Sequence, residues 1–301
     1  MKRLRHLTPL MALLAGLQAA PGLAHPHEEA NDASETGSDP APRKRMLGES
    51  SILQPHRRNY LLPATWVSSP NQVPTTPTYT PEPHGEEVEK EEVKFQLSFR
   101  IPLLTGVFDG PNRLWFGYTQ LAFWQLYNTD ESSPFREINF EPEIFMTHDL
   151  GWEIGPGKLE MLIVGFNHES NGREEPFSRS WNRVKAGMVY STDNWTFALE
   201  PWYRIKPSRS EDDNPDIDRY LGYGQLNAVY NPAGTHALGI SVMNNLHDEN
   251  NRTSVEVNWS FPVSNSIKAH IQYYNGYGES LIDYNERTHR IGLGVSLNDW
   301  L

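Results

Sequence analysis

From Val93 to the end of the chain the dominant period of apolar side chains is two, and several stretches show it cleanly. Thr253, Val255, Val257, Trp259 and Phe261 alternate with Ser254, Glu256, Asn258 and Ser260. Ile267, Ala269, Ile271 and Tyr273 alternate with Lys268, His270, Gln272 and Tyr274, and Ile291, Leu293, Val295 and Leu297 with Arg290, Gly292, Gly294 and Ser296. Successive side chains of a strand point to opposite faces, so each stretch reads as β with one apolar and one polar face. A soluble sandwich turns the apolar set inward and a membrane barrel turns it outward, so alternation alone leaves both architectures open.

Three features favour an all-β, 12-stranded antiparallel transmembrane barrel. The strand candidates run to about 10–13 residues, the tilted length that crosses a bilayer core. Trp195, Trp202, Tyr203, Tyr273, Tyr274 and Tyr277 gather toward strand ends, as interfacial girdles require. The chain also ends on a strand at Trp300-Leu301, an aromatic-strand ending like that of outer-membrane proteins. Candidate strands lie near 59–66, 93–105, 112–128, 137–149, 157–168, 179–192, 194–206, 218–232, 235–247, 252–262, 265–277 and 286–297, an even number, as closure of an antiparallel bacterial barrel needs. The mean hydropathy of −0.60 excludes a polytopic helical membrane protein, whose several apolar runs of about 20 residues this chain cannot supply. It does not exclude a barrel, which averages a greasy outside with a polar lumen.

The body is preceded by segments of other character. In residues 1–24, Lys2, Arg3, Arg5 and His6 come before Leu7 and Leu10 to Ala15, with a small-residue exit at Gly22-Leu23-Ala24, the pattern of a secretory signal peptide. Its removal would start the mature chain near His25 and take the formal charge from −12 to about −15. Residues 25–55 are polar and lack apolar periodicity, so they read as a disordered tail, with His25, His27, Glu28 and Glu29 solvated rather than metal-bound. The barrel domain then spans 56–301. Pro70 to Pro83, followed by Glu86, Glu87, Glu89, Glu91 and Glu92, reads as an exposed loop. The acidic balance argues against nucleic-acid binding, and zero cysteines exclude disulfides, thiolate metal sites and a cysteine nucleophile.

Parity exposes an anomaly. Leu162, Val164, Phe166, His168 and Ser170 share one face, so His168 and Ser170 continue a lipid-facing row. Residues i and i+2 of a strand are about 6.6 Å apart, and an imidazole can turn toward a hydroxyl at that spacing as a general base toward a serine nucleophile. On the next strand Asn182 begins the outer row Val184, Ala186, Met188 and Tyr190, while Arg183 and Lys185 point inward. Asn182 is therefore expected beside His168, where its carboxamide can orient the ring without placing a carboxylate at the edge of hydrocarbon. Gln120 stands in a third outer row between Tyr118 and Ala122. An unpaired amide there is costly, which points to the same residue of a second subunit as partner; a register bulge turning Gln120 inward is the alternative.

Phe166-Asn-His-Glu-Ser-Asn-Gly-Arg173 and Ser178-Arg-Ser-Trp-Asn-Arg183 together resemble the signature of outer-membrane phospholipase A, the calcium-dependent bacterial lipase barrel. Tyr118-Thr-Gln120, Ser132-Ser-Pro-Phe-Arg-Glu137, Asp213-Asn-Pro-Asp216 and Gly276-Tyr-Gly-Glu-Ser-Leu-Ile-Asp-Tyr-Asn285 extend the resemblance over about Asn59 to Leu301. It implies Ser170 as nucleophile, His168 as base and Asn182 as orienter, with the oxyanion held at Gly172 and Ser170. It further implies calcium at the outer rim on the Ser178 hydroxyl, the Arg173 carbonyl and the Ser132 carbonyl of a second subunit, in a homodimer with its active sites at the interface. The expected reaction is hydrolysis of acyl esters of glycerophospholipids and lysophospholipids at the outer leaflet of the bacterial outer membrane.

Two other classes fit parts of the pattern. A passive pore or structural barrel would share the polar inner row of Arg183, Lys185, Glu256, Lys268 and Arg290, although these side chains can equally fill a lumen with ion pairs. A barrel deacylase acting on lipopolysaccharide also uses His-x-Ser, but Ser178-Arg-Ser-Trp-Asn182 argues against it. The sequons at Asn194, Asn251 and Asn258 are set aside, because a bacterial barrel does not meet that machinery. Asp212, Asp213, Asp216 and Asp218 read as a solvated loop.

Overall fold

The computed structural model describes residues 53–85, 87–232, 236–264 and 266–297. The stretch read as a signal peptide, the stretch read as a tail up to residue 52, and the Trp300-Leu301 ending lie outside the described residues. Twelve main strands follow in order: β1 Tyr60–Val67, β2 Glu91–Thr105, β3 Asn112–Trp124, β4 Phe135–Ile154, β5 Gly157–Ser170, β6 Ser180–Ser191, β7 Trp195–Ile205, β8 Gly224–Tyr230, β9 Ala237–Asn244, β10 Thr253–Pro262, β11 Lys268–Gly276 and β12 Thr288–Ser296. Each pairs antiparallel with its sequence neighbours, and β12 pairs with β1 through Ile291–Trp66 and Leu293–Ala64, so the sheet closes on itself. A two-residue bridge, Gln54–Pro55, extends the β1 edge along β2. Closure leaves no unpaired edge, the condition for a sheet to lie in lipid.

The alternation seen in the sequence sorts onto two faces as a barrel requires. Leu162, Val164, Phe166, Val184, Met188, Leu226, Ile240, Ile291 and Leu293 are exposed on the outside. The inward set is polar, with Glu92, Lys94, Asn167, Arg183, Gln272 and Arg290 buried. These groups neutralise one another: Arg290 meets Glu92 at 2.6 Å and Glu279 at 2.9 Å, Lys94 meets Glu279 at 2.9 Å, and Arg183 meets Glu141 at 3.1 Å. Buried charge of this density is tolerable only when paired.

The two barrel ends differ. Loops 68–90, 125–134, 171–179, 206–223, 245–252 and 277–287 lie at one end, and the shorter turns 106–111, 155–156, 192–194, 231–236 and 263–267 at the other. That asymmetry matches outer-membrane barrels, whose longer loops face outward. Exposed Trp66, Tyr127, Tyr203 and Tyr273 ring the long-loop end, and Trp152, Trp195 and Trp259 the other. The long loops also fold inward. Trp181, Trp202, Ile217, Leu221, Leu281 and Tyr284 form an apolar cluster over the mouth. Segment 218–232 is therefore not strand throughout: Asp218–Leu221 is a helical turn, α1, that brings Leu221 into this cluster.

The Pro-rich stretch departs further from expectation. Residues 71–84 are a loop exposed along much of its length, with Pro74 and Thr76 buried, but they also form a strap tied to the loops before β8 and β12. Asn71 Nδ2 donates to Asp283 Oδ1 at 2.8 Å, Asn285 Nδ2 to the Thr75 carbonyl at 3.1 Å, and Thr78 Oγ1 to the Asp212 carbonyl at 2.6 Å. Proline suits such a strap because it fixes φ and leaves fewer backbone donors to satisfy.

Candidate active site

His168 and Asn182 are directly cross-strand on β5 and β6, and Ser170 faces Ser180 two positions on. His168 Nδ1 lies 2.8 Å from Asn182 Oδ1. A carboxamide oxygen can only accept, so Nδ1 is the protonated nitrogen and the Nε2 lone pair is left for a hydroxyl. Ser170 ends β5 on the same outer row. No hydrogen bond joins the Ser170 hydroxyl to His168 among the described residues; the i, i+2 spacing of about 6.6 Å leaves that bond to a side-chain rotation. Phe166, Val184 and Ile205 are exposed around the pair, and Phe140 is paired with Ser170 on β4. The polar trio thus sits in an otherwise apolar wall.

The loop after Ser170 is organised by a residue the sequence did not single out. Asn171 is buried, and its Oδ1 accepts from Arg179 N at 3.0 Å and Arg173 N at 3.3 Å, while its Nδ2 donates to the Phe177 carbonyl at 2.9 Å. The intervening Gly172 has φ +63°, and a Cβ there would meet Phe140 Cε2 at 3.3 Å. Glycine is needed for that conformation. Below the row, Glu169 points inward and accepts from Trp181 Nε1 at 2.9 Å and Arg183 Nη2 at 2.7 Å, which anchors the strand between base and nucleophile.

The residues expected to hold calcium have separate surroundings. Ser178 Oγ donates to Asp213 Oδ2 at 2.7 Å, and Ser180 Oγ approaches the same oxygen at 3.4 Å. Arg173 shares the loop with Ser178; its guanidinium stacks over Phe177 at 4.8 Å and donates to the Arg136 carbonyl at 3.2 Å. Ser132 lies on the β3–β4 loop with φ +61°. That loop is pinned by Trp124 Nε1 donating to the Ser133 carbonyl at 2.9 Å. No group of three or more acidic, histidine or cysteine side chains fit to hold a metal occurs among the described residues. Hydroxyl and carbonyl oxygens are nonetheless the hard donors calcium accepts. With its proton directed at Asp213, the Ser178 oxygen keeps lone pairs for a cation, so the donor set fits.

Asp213 itself was read as part of a solvated loop, and the structure corrects that reading. Asp212 is buried against Arg204 Nη2 at 2.6 Å, Tyr284 donates to Asp216, and Tyr79 donates to Asp213 Oδ1 at 2.5 Å. Burial and the carboxylate beside it push the Tyr79 phenol well above its usual range. The partners come from distant loops and no periodicity marks them; the only signal was threonines and a tyrosine within a Pro-rich run.

Gln120 points outward, as the row predicted. Its pairing with Leu97 and Phe140 shows no bulge at that level. Its Oε1 accepts from Tyr118 at 3.1 Å, and its Nε2 has no acceptor among the described residues.

Comparison with known proteins follows the same lines. The family model for phospholipase A1 matches residues 43–297. A phospholipase A1 of Klebsiella pneumoniae is 38% identical, covering 97% of this chain and 97% of its own, and that of Salmonella typhimurium is 43% identical over 82% of each. The structure of outer membrane phospholipase A from Escherichia coli superposes with a TM-score of 0.75 at 39% identity, covering 83% of this chain and 99% of its own. A Salmonella typhi outer membrane phospholipase dimer with bound calcium gives 0.75 at 40% identity, covering 84% of this chain and 95% of that one. With a closed twelve-strand barrel and matches of this extent, the chain belongs to the phospholipase A1 family.

Proposed function

We propose that this protein hydrolyses acyl esters of phospholipids and lysophospholipids at the outer leaflet of the outer membrane, with Ser170 as nucleophile, His168 as base and Asn182 as orienter. The observation that carries the reading is the 2.8 Å contact of His168 Nδ1 with Asn182 Oδ1 on the same lipid-facing rim as Ser170. Ser170 Oγ attacks the acyl carbonyl while His168 Nε2 takes its proton, and the same proton passes to the departing alcohol oxygen. Water then attacks the acyl carbon while His168 Nε2 takes its proton, and His168 returns that proton to Ser170 Oγ as the bond to the fatty acid breaks. The Gly172 N–H donates to the carbonyl oxygen as negative charge develops there. Ser178 Oγ, the Arg173 carbonyl and the partner subunit's Ser132 carbonyl would hold calcium, which when bound supplies positive charge that polarises the ester. Gln120 joins two copies through their amides; that a Salmonella typhi relative is a dimer with bound calcium supports dimerisation. Residues 1–24 serve as the signal peptide and 25–55 as a polar tail before the barrel domain 56–301.

The test is fatty-acid release from a phospholipid in detergent with calcium and with chelator. Release only with calcium is expected; equal release under chelation removes calcium from the reading.

A further inference from the structure

The Asp213 carboxylate is held at both oxygens. Oδ2 accepts from Ser178 at 2.7 Å and Ser180 at 3.4 Å, and Oδ1 accepts from the Tyr79 phenol at 2.5 Å. Its backbone is fixed as well: Thr76 Oγ1 donates to the Asp213 carbonyl at 2.5 Å, and the next residue, Asn214, is buried and accepts from Ser180 N at 2.9 Å. Tyr79 and Thr76 belong to the strap between β1 and β2, whereas Asp213 belongs to the loop between β7 and β8. In a ring of twelve strands these two loops rise from opposite walls. The strap therefore reaches across the mouth to hold one carboxylate against one serine.

The donor type is informative. An Arg or Lys in place of Tyr79 would cancel the carboxylate charge and repel a cation at Ser178. A neutral phenol fixes the carboxylate rotamer and leaves its charge in place, so the Ser178 proton stays turned toward Asp213 and its lone pairs outward.

We propose that Tyr79 is a positioning residue for the calcium rim: by locking Asp213 against Ser178 it sets how tightly the rim binds calcium. This rests on the calcium-assisted reading given above. Tyr79 touches neither substrate nor the reacting atoms.

The experiment is calorimetric titration of calcium chloride into the full chain in detergent micelles, for wild type, Tyr79→Phe and Thr76→Val. Outer-partner substitutions of this kind weaken metal affinity by roughly 10- to 100-fold. We expect about tenfold weaker binding in Tyr79→Phe, a smaller shift in Thr76→Val, and the calcium concentration for half-maximal hydrolysis moving by the same factor. A merely structural role would instead lower the calcium-free unfolding temperature and leave the calcium midpoint in place. Wild-type affinity in both variants would overturn the proposal while the hydrolase reading stands. Absence of calcium binding in wild type would overturn both, so the two failures are distinguishable.

Discussion

Asn182 gives His168 one neutral hydrogen bond, at 2.8 Å, where a carboxylate would have given a charged one. A neutral bond of this kind contributes about 1 kcal/mol. Asn182→Ala is therefore expected to slow hydrolysis by about fivefold, against complete loss in Ser170→Ala; both are read from fatty-acid release by barrels that keep their heat-modifiable mobility. A second His–Asn pair lacks the third member of the trio. His148 Nδ1 contacts Asn112 Oδ1 at 2.5 Å near the opposite end of the barrel, but its row neighbours are Met146 and Leu150. Without a hydroxyl two residues away there is nothing to deprotonate. His148→Ala should hydrolyse phospholipid at the wild-type rate, and a large loss there would mean that the active row has been misassigned.

At the scale of elements, the strap is expected to respond to pH through His84. Its ring stacks on Phe177 at 6.0 Å, and its Nε2 is buried with no partner among the described residues. Burial pushes its pKa down from 6.5 to about 4; Asp283 and Glu92 oppose the shift, while Arg136 and Arg173 add to it. The docked strap therefore favours neutral His84. Its stability is fully present above pH 6.5 and is lost progressively as pH falls toward about 4, because the released strap takes up the proton first. Relative to the intrinsic exchange rate at each pH, the protection of amides over residues 70–85 should fall as pH drops through that window in wild type and stay constant in His84→Gln. The strap also marks where the sequence stopped being legible. Lipid-facing and lumen-facing rows were readable because a strand's period is two, and the trio because polar residues broke an apolar row. Tyr79 with Asp213, or Asn71 with Asp283, are pairs far apart in sequence whose meeting depends on how loops fold over the mouth. The same cause hid α1, since Leu221 is helical only to reach the cluster with Trp181 and Trp202.

For the whole molecule, the inner row is packed with ion pairs and the mouth is covered by loops. A polar cavity of about 200 Å³, lined by Arg57, Glu141, Arg183 and Glu256 among others, remains inside. Planar-bilayer recordings should show no steady conductance, whereas porin-like current would restore the pore reading. Association is expected through Gln120, whose Nε2 is still available for a second copy. Polar contacts within membranes contribute about 0.6 kcal/mol on average and up to about 1.7. Gln120→Leu should accordingly weaken dimerisation by roughly three- to twentyfold in cross-linking against protein concentration with calcium present. The central claim, however, is that an outward-facing serine on a barrel wall is a nucleophile. It is tested most directly by treating the folded barrel with a fluorophosphonate in calcium and mapping the adduct by mass spectrometry. One adduct on Ser170, lost in Ser170→Ala and strongly slowed in His168→Ala, is the expected result; an unlabelled Ser170 in a barrel that still releases fatty acid would contradict it.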